Sequence, residues 1–127
     1  MNPRILVIAA PMLLMLNGCE TSSSRPTGPI GAAWEGPVLV SQAAMPAGIS
    51  YKVIGTVQAE AQAGYAYAET LYPLLATEAR KIGANAVINA RGGRRMTAFS
   101  WSAAYVSGTA VKVDDPQKLK GLPGTYH

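Results

Sequence analysis

The sequence predicts an α+β fold, a small antiparallel-rich sheet of three to four strands with one main helix packed on one face. Three observations carry this. Tyr51 to Gln58 alternates with a period of two, as a half-buried strand does. A stripe at helical spacing, Leu71, Leu75, Ala79 and Ile82, lies between Ala66 and Ile82, with Leu74 beside it. Two further strand-like runs, Ala86 to Arg91 and Met96 to Val113, follow the helix.

Taken in order, Val38 to Val40 is a short apolar run closed by the turn signal Met45 to Gly48. In the next strand Tyr51, Val53, Gly55 and Val57 share one face. The mid-strand Gly55 marks a bulge or a close backbone approach. In the helix, Glu69, Glu78, Arg80 and Lys81 face water. Pro73 belongs either in the first turn or at a kink. Arg80 and Lys81 near the end suit the helix dipole. Gly83 fits the left-handed position after the helix, and Asn85 reads as a turn residue satisfying backbone groups beside it. Gly92-Gly93 is a hairpin signal. On the last strand Phe99, Trp101, Ala103 and Tyr105 form one face, and Ala98, Ala104, Val106 and Ala110 belong to the other. The aromatic face is expected to meet the helix, because it offers more area to bury. Asp114-Asp115-Pro116 stops the strand, and residues 115–127 read as a disordered tail.

The N-terminus has a different character. A basic start at Arg4 precedes Ile5 to Leu16, twelve residues that are apolar apart from a proline. A spanning helix needs about 20 residues, so this run has the size of a signal-peptide core. Leu16, Asn17, Gly18 and Cys19 then resemble a bacterial lipobox. That pattern implies cleavage before Cys19 and acylation of its thiol, with residues 1–18 as the leader. Two or more acyl chains anchor stably where one is marginal. The residue after the cysteine is Glu20 rather than aspartate, which favours the outer membrane with the protein facing the periplasm. The inner membrane's outer leaflet and the cell surface are the alternatives. Residues 19–36, rich in Ser, Pro and Gly, read as the lipidated cysteine and a flexible linker, reaching at most about 60 Å. Trp34 in that linker either docks on the domain or rests in the membrane interface. The folded unit is then 37–114.

Composition bounds the chemistry. The chain has 127 residues, 49% hydrophobic and 14% charged, with a formal charge of +4. Without Arg4, ten bases stand against seven acids, a mild excess that does not argue for nucleic acid. The lone Cys19 allows no internal disulfide. No catalytic or metal-ligating constellation is legible. His127 is the only histidine, Cys19 lies outside the folded unit, and Glu60, Glu69 and Glu78 are nine residues apart. No cofactor is implied, and the chain does not read as an enzyme. Arg91, Arg94 and Arg95 around the two glycines are either a basic tip touching lipid headgroup or lipopolysaccharide phosphates, or a solvated turn. Tyr65, Tyr67 and Tyr72 form either a partner patch or packing against the sheet edge.

Gly55-Thr56-Val57, Gly83-Ala84-Asn85-Ala86-Val87 and Ser107-Gly108-Thr109-Ala110-Val111 together resemble the YbjQ-like family, over roughly Val38 to Val113. The resemblance implies a small α/β domain that forms rings, often pentamers, with no established catalytic activity. The order of lipobox, linker, strand, helix and final strand is similar to an RcsF-like layout, which implies envelope stress sensing through protein contact. The disulfides and longer Pro-rich linker of that layout have no counterpart here. The expected partners are therefore the bilayer through acylated Cys19, an envelope protein, and other copies of the chain.

Overall fold

The computed structural model describes residues 20–61, 67–96 and 102–127. Its sheet has six strands: β1 (Glu20–Pro26), β2 (Leu39–Val40), β3 (Tyr51–Ala61), β4 (Ala86–Arg95), β5 (Ala103–Val113) and β6 (Thr125–Tyr126). A 3-10 turn over Ala68–Leu71 runs into the helix α1 (Tyr72–Lys81). The strand order is β1-β3-β5-β4-β2-β6, antiparallel throughout except for the parallel β2–β4 pair. The expected sheet of three to four strands is thus corrected to six in a mixed, strand-rich sheet.

Both additional edges come from segments read as unstructured. Glu20–Pro26 is an edge strand in register with β3, from Glu20 opposite Ala61 to Pro26 opposite Gly55. An edge strand needs only backbone bonds on one side, so a serine-rich run without apolar alternation serves. The remainder of the supposed linker also docks. Trp34 donates its backbone N–H to the Arg80 carbonyl at 3.0 Å and its indole N–H to the Pro37 carbonyl at 3.0 Å. The Lys112 ammonium lies 4.9 Å from the centre of the Trp34 ring.

The tail is likewise not disordered. Asp115 accepts from the Gln117 N–H at 3.1 Å and starts a 3-10 turn over Pro116–Gly121. That turn buries Leu119 against Val111 and Val113. Thr125 and Tyr126 then pair with β2, and His127 and Val38 exchange both backbone bonds at 2.9 and 3.0 Å.

The strands β3 and β4 run parallel with β5 inserted between them, and α1 crosses over β5 to join them. The helix buries Leu71, Leu75, Ala79 and Ile82. Against them lie Val57, Ala59, Val87, Ala104, Val106 and Ala110. The helix therefore meets the small-residue face of β5, and the expectation of an aromatic interface is reversed. Small side chains let the helix axis approach, which improves close packing more than a larger but looser contact would. Gly108 belongs to the same row: a Cβ there would lie 2.4 Å from Val87 Cγ1. Phe99 and Trp101 lie outside the described residues. Pro73 sits in the first turn of α1, so no kink results.

Two bulges decide which residues share a face. Val53 pairs with Val111 but Gly55 with Ala110, so Ile54 is an extra residue and the alternation reverses across it. Tyr51 and Val53 thus leave the face of Gly55 and Val57, correcting the expected common face. In β4, Asn89 and Ala90 oppose Gly108 alone, and Asn89 takes the left-handed conformation at φ 54°. Gly92 and Gly93 continue the ladder opposite Val106 and Tyr105 instead of forming the turn. Their use is close approach. A Cβ on Gly92 would meet Ala68 Cβ at 2.5 Å, and one on Gly93 would meet the Tyr105 ring at 3.1 Å.

Gly55 also seats the edge strand. A Cβ there would lie 2.4 Å from the Arg25 carbonyl oxygen and 2.8 Å from Pro26 Cα, both backbone atoms. Gly55→Ala should therefore loosen β1 and lower stability by about 1–3 kcal/mol, as overpacking does. Urea unfolding checks this, and an unchanged midpoint would contradict the seat.

Candidate functional site

The three arginines of the sequence reading sit at the end of β4 but do not form one patch. Alternation puts Arg94 on the helix side and Arg91 and Arg95 on the other. Arg94 lies 5.6 Å from the centre of the Tyr67 ring and donates to the Ser102 carbonyl at 2.9 Å. Arg95 stacks on Tyr105 at 4.3 Å and pairs with Glu60 at 3.4 Å. Arg91 is exposed. Of the tyrosine group, Tyr67 is exposed and Tyr72 is buried, while Tyr65 lies outside the described residues. Leu16, Asn17, Gly18 and Cys19 lie outside them too.

Register brings β1 to the same end. Glu20 stands opposite Ala61, Glu60 opposite Tyr105, and Ala104 opposite Arg94. The residue that follows Cys19 therefore lies on a line across the sheet that ends at the arginines. Sequence reasoning missed this because a flexible linker would have uncoupled the two. Exposed Tyr67 and Met96 complete that end of the molecule.

The sheet face away from the helix has two parts. One is covered by the 3-10 turn of the tail and by Met45 and Ile49. The other is open and polar. It carries Thr21, Ser23 and Arg25 of β1 beside Thr56, Gln58 and Glu60 of β3, with the Gln58 amide donating to Ser23 Oγ at 3.1 Å. A shallow depression lined by Thr21, Ser23, Gln58, Glu60 and Arg95 lies there. Tyr51 and Val53, 42% and 43% exposed, lie on the same face toward the other end of β3. Hydroxyls, an amide and guanidinium groups make this a hydrogen-bonding surface with few acidic groups. Among the described residues no three His, Cys, Asp or Glu side chains gather at metal-binding range. No helix among them is long and apolar enough to cross a membrane.

On the helix side, Glu78 is buried rather than facing water. Its Oε2 accepts from Ser22 Oγ at 2.7 Å and from the Lys81 ammonium at 3.3 Å. The helix thereby grips β1 through a charge-assisted bond. Gly83, at φ 89°, occupies the position after the helix cap. Its N–H donates to the Arg80 carbonyl at 3.1 Å, and the Ala84 N–H donates to that of Ala79 at 2.9 Å. These two bonds are the Schellman pattern. Asn85 is buried and acts further away than expected: its amide donates to the Val113 carbonyl at 3.1 Å, and its Oδ1 accepts the Val113 N–H at 2.8 Å. It thus completes the backbone bonding of β5 rather than of the turn.

The last described residue closes the opposite end. The His127 ring meets Tyr72 edge-on at 6.0 Å, its Nε2 is 2.7 Å from Thr125 Oγ1, and Arg80 donates to the His127 main-chain oxygen at 2.7 Å. Burial, and then the Arg80 charge, hold its imidazole below the ordinary 6.5.

No family model matches the chain, and comparisons with characterised proteins and with solved structures yield no match either.

Two outcomes follow for stability. Gly83→Val should destabilise by at least about 1 kcal/mol, because a β-branched residue resists positive φ, and its Cβ would lie 2.9 Å from the Ala32 carbonyl oxygen. An unchanged melting curve would contradict this. For His127, the unfolded chain takes up a proton more readily than the folded one. Its contribution is therefore intact above 6.5 and is lost as the pH falls below it. Lowering the pH from about 7.5 to about 5.5 should depress the melting temperature more in the wild type than in His127→Gln. Equal slopes would contradict the assignment.

Proposed function

We propose that this chain is a bacterial lipoprotein, cut before Cys19, acylated there, and held at a membrane facing the periplasm, with the outer membrane preferred. Its domain works by protein contact, as an envelope sensor or accessory subunit. The observation that carries the reading is the lipobox pattern Leu16-Asn17-Gly18-Cys19 after an apolar core of signal-peptide length. Every described strand lies after the cut, so cleavage leaves the sheet whole. The motifs of YbjQ-like character around Asn85 and Gly108 support a contact role, as does the open sheet face that carries Tyr51 and Val53. Aromatic and apolar side chains beside arginine are the composition that protein interfaces favour.

Those exposed side chains suit another copy of the chain as well as a foreign partner. Light scattering on the mature protein separates the two, since a stable pentamer favours the ring. Cys19→Ala should leave an uncut chain without acyl groups, seen by intact-mass measurement of membrane and soluble fractions. Normal processing of that variant would refute the reading.

A further inference from the structure

The two most exposed large apolar side chains among the described residues are Tyr67 at 66% and Met96 at 65%. Both lie at the sheet end where β1 begins. Met96 directly follows Arg95, which pairs with Ala103 one step beyond the line from Glu20 through Ala61 and Ala104 to Arg94. Tyr67 sits against Arg94. Across β1, β3, β5 and β4 that line is about 14 Å wide, three strand spacings. Both side chains thus stand exposed at the same end of the sheet.

Distance ties that end to Cys19. With a free linker, any face of the domain could reach a bilayer. Here the chain enters the sheet at Glu20, the residue after Cys19, and β3 is eleven residues long, or about 36 Å. An anchor at Cys19 keeps the end bearing Glu20 at the lipid surface and holds the opposite end, with Asn85 and His127, far from it.

We propose that Tyr67 and Met96, with Arg94 beside them, rest in the interfacial layer of the bilayer to which Cys19 is tied, so that the domain stands on the membrane in one fixed orientation. This rests on the lipoprotein reading. The chemistry suits an interface: a tyrosine with an apolar body and polar tip, a flexible apolar methionine, and a guanidinium that stays at headgroup level. Net charge is not the driving force. Arg95 is paired with Glu60, and exposed Glu20 offsets further positive charge at this end. The contact is therefore expected on zwitterionic lipid and does not require anionic headgroups.

The mature protein holds two methionines after the cut, Met45 and Met96. Met45 packs against the covered part of the sheet and is half-buried, so exposure alone makes Met96 the faster to oxidise. The experiment adds the mature protein to preformed phosphatidylcholine vesicles and treats it with a charged, membrane-impermeant oxidant. Peptide mass measurement then reads both sulfoxides and the acyl groups on Cys19. The proposal predicts the reverse order, with Met96 oxidised severalfold more slowly than Met45. An acylated chain in which Met96 still oxidises first overturns this inference and leaves the lipoprotein reading standing. A bare Cys19 thiol overturns both.

Discussion

The antiparallel ladder between Glu20–Pro26 and β3 is the constraint on which the remaining organisation depends. It converts a run of serines into a structural strand and removes the slack between Cys19 and the domain. The ladder is supported from both sides. Gly55 leaves room for the Arg25 and Pro26 backbone, and Thr27 returns to Ile54 through a backbone bond of 2.9 Å. Glu78, buried on the helix, takes the Ser22 hydroxyl. A carboxylate so placed requires a partner, because leaving a buried acceptor unmet costs about 1–3 kcal/mol. The strand and the helix therefore stabilise each other, and the end of the sheet where β1 begins gains rigidity that its composition does not suggest.

The same logic runs at the opposite end. β2 is two residues long and could not hold an edge alone. It is flanked by β4 on one side and by β6 on the other, and the pairing of His127 with Val38 extends the β6 side. Asn85 continues the β5 ladder with its side chain where the backbone of β4 has ended. A sheet that divides a short chain's apolar residues between two faces gains much from such closure, since the apolar area available is limited.

What was legible in the sequence was the part governed by periodicity and glycine chemistry. The stripe Leu71, Leu75, Ala79 and Ile82 gave the buried face of the helix, Gly83 its end, and Gly55 an irregularity in β3. Three things were not legible. Edge strands made of Ser, Thr and Arg carry no apolar period, so β1 and the tail read as coil. Bulges at Ile54 and Asn89 invert alternation without a unique sequence mark, so face assignments drawn through them fail. Paired glycines signal a turn and a close contact equally, and only the neighbours Ala68 and Tyr105 decide for contact at Gly92 and Gly93. The arginines were legible as a group, but their division between two faces follows from strand register. Tyr67 was legible only as one of a tyrosine group and Met96 only as the start of a strand, until register placed both beside the start of β1.

On the lipoprotein reading proposed above, the strand Glu20–Pro26 mounts the domain directly on its lipid, whereas a tether would let the domain move freely around the anchor. Amide hydrogen exchange over Thr21 to Arg25 distinguishes these. The alternate amides that bond to β3 should exchange slowly, with protection approaching that of β3 itself. Exchange at the rate of an unstructured peptide throughout that segment would contradict the account.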